Sequence, residues 1–115
     1  MTRVMIVEDE TLVAMLLEVM LTDLGYEVSA LTQDLEEAVC LARRMEIDIA
    51  VLDVNLAGVV SFPVADILRN RGIPFVFATG YGAAAVAKRF ADVPVVTKPF
   101  AAAQLAQAFR AAAAP

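Results

Sequence analysis

The sequence predicts an α/β three-layer sandwich: a parallel sheet of five strands with helices on both faces. Two observations carry this. Short apolar runs alternate with longer amphipathic patterns along the whole chain, the signature of successive βαβ units. The apolar runs are also near-continuous rather than alternating, as in strands covered on both faces. A length of 115 residues, 60% of them apolar, fits one domain with ample surface to bury and excludes a disordered chain.

Val4–Val7 reads as the first strand and Thr11–Leu24 as the first helix, stopped by Gly25. Tyr26–Ala30 alternates enough for a second strand at a sheet edge. Asp34–Met45 is an amphipathic helix with Leu35, Ala38 and Leu41 inward and Glu36, Glu37, Arg43 and Arg44 outward. Ile47–Leu52 is the third strand, and Asp53–Val60 a loop. Ser61 is placed to cap a helix with Pro63 in its first turn, running to about Arg71. Pro74–Ala78 is the fourth strand, Ala83–Phe90 has room only for a short helix, Val93–Val96 is the fifth strand, and a last helix follows Phe100. Five sheet-covering helices are therefore expected.

Composition narrows the function. A net charge of −5 argues against a nucleic-acid partner. The richest apolar stretch, Leu12–Leu21, is ten residues long and contains Glu18, too short to cross a membrane. No secretory leader is expected, because Glu8, Asp9 and Glu10 cut off the first apolar run. A single cysteine, Cys40, suits a reducing, cytoplasmic setting. The absence of histidine removes Ser–His and Cys–His catalysis and histidine metal sites.

In an open parallel sheet, ligands bind at the carboxyl ends of the strands. There the sequence places Glu8 and Asp9 after strand one, Asp53 after strand three, Thr79 after strand four, and Thr97 and Lys98 after strand five. Each has an ordinary reading alone, as a helix-start acid, a turn residue or a solvated lysine. Together, three carboxylates on one rim call for a cation among them, and an oxygen-only donor set suits Mg²⁺. These parts suit phosphoryl transfer to a carboxylate. Asp53 is the candidate nucleophile. Asp9 would hold Mg²⁺ directly, Glu8 through water, and the Asn55 backbone carbonyl would complete the shell. Lys98 and Thr79 would meet the phosphoryl oxygens.

The segments Val7-Glu8-Asp9, Leu52-Asp53-Val54-Asn55, Ala78-Thr79-Gly80 and Lys98-Pro99-Phe100, in this order, resemble the receiver domain of two-component response regulators over Arg3 to about Ala113. The resemblance implies a flavodoxin-like sheet of strand order 2-1-3-4-5, a cis peptide before Pro99, and Mg²⁺ as the required ion. It implies a phosphoryl group taken from a sensor histidine kinase or a histidine phosphotransfer protein, and a downstream protein partner. Pro74–Tyr81, with Ser61-Phe62-Pro63, is similar to the alphaproteobacterial "FAT GUY" group, often stand-alone receivers. The whole chain, 1–115, is then one receiver domain, cytoplasmic, monomeric or weakly dimeric. It is not a turnover enzyme, although it would catalyse its own phosphorylation and slow autodephosphorylation.

Two departures from the family pattern matter. Val95 stands where many receivers carry the aromatic that couples to the threonine, which leaves Tyr81 as the candidate moving ring. The loop after Asp53 carries Leu56-Ala57-Gly58 in place of the common Met-Pro pair. Asn55 and Tyr81 flank the path of attacking water and would tune the lifetime of the acyl phosphate. The segment 79–91, with Gly80 and Gly82, is expected to be the mobile output element. An aspartyl-phosphate phosphatase is disfavoured, because Asn55 stands where its acid–base aspartate belongs. A phosphorylation-independent pseudo-receiver, or a receiver excised from a longer hybrid kinase, is the alternative. The first helix is too apolar for all of it to face the sheet. Either a partner, such as a kinase helical bundle or a second copy, or the last helix covers the excess.

Overall fold

The computed structural model describes residues 1–114. Its main sheet has five parallel strands: β1 (Arg3–Val7), β2 (Glu27–Thr32), β3 (Ile49–Asp53), β6 (Phe75–Thr79) and β7 (Val95–Thr97). Their order is β2-β1-β3-β6-β7, which is 2-1-3-4-5 when the sheet strands are counted along the chain. β4 (Asn55–Leu56) and β5 (Val59–Val60) form a separate two-stranded antiparallel hairpin where the sequence predicts only a loop.

Among the described residues, four α-helices cover the sheet rather than five: α1 (Thr11–Asp23), α2 (Leu35–Arg44), α3 (Phe62–Asn70) and α4 (Ala102–Ala113). The expected short helix over 83–90 is replaced by two 3₁₀ turns, Gly82–Ala85 and Lys88–Phe90. Alanine favours helix, but none of the residues 82–85 is fully buried and only Ala85 among them packs on the core, so little packing energy supports a full helix.

Local chemistry sets the element ends. Asp34 caps α2 by accepting the Glu37 N–H at 3.0 Å, with Glu36 and Glu37 in the first turn and Arg43 and Arg44 in the last, complementing the helix dipole. α1 closes in a Schellman motif: the Tyr26 N–H donates to Leu21 O and the Gly25 N–H to Thr22 O. Ser61 stands at the start of α3 as expected, but its hydroxyl makes no capping bond; its carbonyl accepts from Val64 and Ala65 instead. β2 runs to Thr32, beyond the predicted Ala30; an irregularity at Val4/Met5 shifts the register by one residue, so that Val7 pairs with Thr32.

Two apolar layers sandwich the sheet. Leu17 and Leu21 of α1 and Leu105 and Phe109 of α4 pack on Val4, Ile6, Val51 and Val76. On the other face, Ala38 and Ala42 of α2 and Val64, Ala65 and Leu68 of α3 pack on Met5, Leu52, Phe75 and Phe77. Val4–Val7 and Ile49–Asp53 are buried throughout, so the residues immediately after β1 and β3 emerge from a rigid edge. No described helix is long and apolar enough to cross a membrane.

Candidate functional site

At the carboxyl ends of β1, β3, β6 and β7 lies an open cleft of about 380 Å³ lined by Asp9, Glu10, Asp53, Asn55, Thr79, Tyr81 and Lys98. Asp53, the last residue of β3, is 6% exposed. Its Oδ2 accepts from Lys98 Nζ at 3.1 Å, and its Oδ1 accepts the Asn55 N–H at 3.3 Å. Lys98 reaches the cleft from the end of β7, where its N–H donates to Thr79 O at 2.8 Å and a cis Lys98–Pro99 peptide follows.

Glu8 is fully buried; its Oε2 is hydrogen-bonded, whereas its Oε1 has an ion-pair neighbour but no hydrogen-bond partner. Oε1 pairs with Lys98 Nζ at 2.7 Å, and Oε2 accepts the Glu10 N–H at 3.1 Å. Burial pushes the Glu8 carboxyl up to about 7; Asp53 adds to that push and Lys98 opposes it. Burial acts against the Lys98 ammonium, but its bonds to Glu8 and Asp53 outweigh that and hold its pKa above the ordinary lysine value. For Asp9, burial acts upward but is outweighed by Asp53 alongside and by the Ala57 N–H, which its Oδ2 accepts at 2.9 Å; the net direction is down. The site thus holds one carboxyl biased toward the neutral form, one biased toward the anion, and a lysine shared between Glu8 and Asp53.

Carboxylate oxygens of Glu8, Asp9 and Glu10 lie within 4.8 Å of one another. This oxygen-only donor set fits a hard divalent cation such as Mg²⁺. Glu8 Oε1, ion-paired with Lys98 but without a hydrogen bond, keeps a lone pair for such an ion or for a water bound to it. Glu10 is the residue sequence reasoning passed over. It lies 3.8 Å from Lys98 Nζ, and its signal was its place directly after Glu8-Asp9.

Thr79 is buried, and its Oγ1 accepts the Tyr81 N–H at 3.1 Å, which leaves the hydroxyl proton free to donate into the cleft. Tyr81 lines the mouth and is 79% exposed. Val95 is half-buried and packs against the α2/α3-side core rather than facing the cleft. Asn55 exposes its side chain, whose Oδ1 accepts the Gly58 N–H at 2.7 Å within the hairpin. A buried aspartate, a lysine ammonium, a hydroxyl donor and a cluster of three carboxylates therefore share one cleft, an arrangement able to hold a phosphoryl group and a divalent cation.

Comparison with known proteins agrees with this geometry. The family model described as response regulator receiver domain matches residues 4–110. The solution structure of SdrG from Sphingomonas melonis Fr1 superimposes with a TM-score of 0.89 at 43% identity, covering 99% of this chain and 98% of that one. The BeF3-activated conformation of SdrG, from Pseudomonas melonis Fr1, gives 0.83 at 42% identity, covering 97% and 96%. The transcriptional regulatory protein PdtaR of Mycobacterium tuberculosis is 32% identical over 114 residues, 96% of this chain. This chain spans 56% of PdtaR's length.

Proposed function

The chain belongs to the response regulator receiver domain family of two-component signalling, and from that premise we propose that Asp53 accepts a phosphoryl group from a phosphohistidine and that the acyl phosphate switches protein contacts. The observation that carries this is the placement of Lys98 Nζ between Glu8 and Asp53, 2.7 and 3.1 Å away, beside the free Thr79 hydroxyl. An Asp53 oxygen attacks phosphorus, the P–N bond breaks, and the imidazole of the donor leaves with its electron pair and takes up a proton. Lys98 leaves its carboxylate partners for the incoming phosphoryl oxygens, and Thr79 donates to another of them.

A Mg²⁺ ion held by Asp9, by Asp53, by Glu8 through water and by the Asn55 carbonyl would neutralise the remaining phosphoryl charge. The chain signals by contact and turns over no substrate beyond its own acyl phosphate. Incubation with acetyl phosphate and MgCl₂, followed by intact mass measurement, should show one added phosphoryl group. Modification of Asp53→Asn, or of the wild type in EDTA, would overturn the assignment.

The donor surface is read from α1. Leu12 is 80% exposed and Val19 58%, with Met15 and Leu16 also exposed; α4 does not cover them. Val13 and Leu16 continue into a groove with Gly80, Lys98, Pro99 and Phe100 beside the site. A kinase helical bundle or phosphotransfer protein lying on this face would bring its phosphohistidine over Asp53. Leu16→Asp should slow transfer from a phosphotransfer protein while leaving acetyl phosphate uptake unchanged.

A further inference from the structure

The hairpin that follows Asp53 turns on Ala57 and Gly58, both in the left-handed region, at φ 53° and 92°. Turns of this kind favour Asn-Gly or Gly-Gly; an alanine persists there only where its surroundings over-determine it. Two bonds do so. Asn55 Oδ1 accepts the Gly58 N–H at 2.7 Å, and Asp9 Oδ2 accepts the Ala57 N–H at 2.9 Å. The ladder pairs Asn55↔Val60 and Leu56↔Val59, with Leu56 buried, close the hairpin behind the turn.

The side chain of Asn55 is therefore committed to shaping the turn, while its own N–H is held by Asp53 Oδ1 at 3.3 Å. We propose that Asn55 is a positioning residue for Asp9: by bracing the Ala57–Gly58 turn it fixes the N–H that orients the Asp9 carboxylate toward the ion. This rests on the Mg²⁺ reading above and departs from the expectation that the Asn55 side chain acts on attacking water. Groups that hold a metal ligand from behind commonly change ion affinity when removed.

Titration of the whole chain with MgCl₂ by calorimetry tests it. Asn55→Ala should weaken Mg²⁺ binding about tenfold. Adding Ala57→Gly, which lets the turn keep its shape unbraced, should restore most of that loss. In the metal-free protein, the Ala57 amide should exchange faster in Asn55→Ala and slow again in the double variant. Unchanged Mg²⁺ affinity in Asn55→Ala, with an altered rate of phosphoryl loss at saturating Mg²⁺, would overturn the proposal. If the wild type binds no Mg²⁺, the metal reading fails, and the Ala57 exchange rates alone decide whether Asn55 holds Asp9 through the turn: no difference between wild type and Asn55→Ala overturns it.

Discussion

The two halves of the connection between β6 and β7 are held very differently. Along Gly80–Ala87 nothing is fully buried, and the local bonds are the Tyr81 N–H to Thr79 Oγ1 and the Val86 N–H to Ala83 O. Along Lys88–Asp92 the chain is clamped to α3. Phe90 is fully buried, with its ring centroid 5.5 Å from Phe62, 6.0 Å from Phe75 and 5.6 Å from Phe77. The guanidiniums of Arg89 and Arg69 lie 4.6 and 5.1 Å from that ring. Arg89 pairs with Asp66, and Arg69 pairs with Asp92 and donates to Arg89 O. A pull on Thr79 should therefore be taken up in the less anchored first half, residues 80–87, rather than over the whole of 79–91.

The strongest way to break this comparison is Phe90→Ala. Removing a fully buried aromatic should cost about 4 kcal/mol in urea unfolding, whereas Ala84→Gly should cost below about 1 kcal/mol. Equal costs would mean that the second half is no better anchored than the first.

Next in size is a pH effect that belongs to the site end. Glu8 has a folded pKa near 7, above its ordinary 4.5, so between those values the folded chain binds more protons than the unfolded one. Stability in EDTA should therefore fall as pH rises from about 4.5 to 7, by on the order of 2–3 kcal/mol. Asp9 is shifted the other way, and its effect is confined to the acid side of the usual carboxylate value. Saturating Mg²⁺ should flatten the profile. A rise in stability over this window would refute the Glu8 assignment.

Smaller still, Gly82→Ala should cost about 1 kcal/mol, because φ is +66° there while the added Cβ meets only Thr97 Oγ1 at 3.7 Å. Gly80→Ala, with no positive φ and open space, should stay within about 0.5 kcal/mol. Finally, hydrogen exchange with beryllofluoride should change across residues 80–87 and leave 88–92 alone. Equal change in both halves would erase the distinction.

The sheet and the site residues were legible because burial on both faces writes long apolar runs, and polar residues at their ends stand out: Asp53 after Ile49–Leu52, Thr79 after Phe75–Ala78. The 3₁₀ connection was not legible, since Ala83–Ala85 reads as helix, and neither the exposure of this turn nor the burial of Phe90 in an aromatic cluster is written in the local sequence. The hairpin was hidden for a similar reason. Ala57-Gly58 carries no hairpin signature, and one of the two bonds at the turn joins it to Asp9, 48 residues earlier. Glu10 reads as one more surface acid until the fold brings Lys98 beside it.

The placement of the aromatic residues has an optical consequence. The chain has no tryptophan and two tyrosines. Tyr26 packs edge-on against Phe109, 5.1 Å between centroids, at the junction of β2 and α4, away from the β6–β7 connection. Tyr81 stands in solvent at the cleft mouth. Ultraviolet emission from the unlabelled protein should therefore combine a packed reference, Tyr26, with a solvent-facing reporter at the candidate cleft, Tyr81, and Tyr81→Phe should separate the two without a dye.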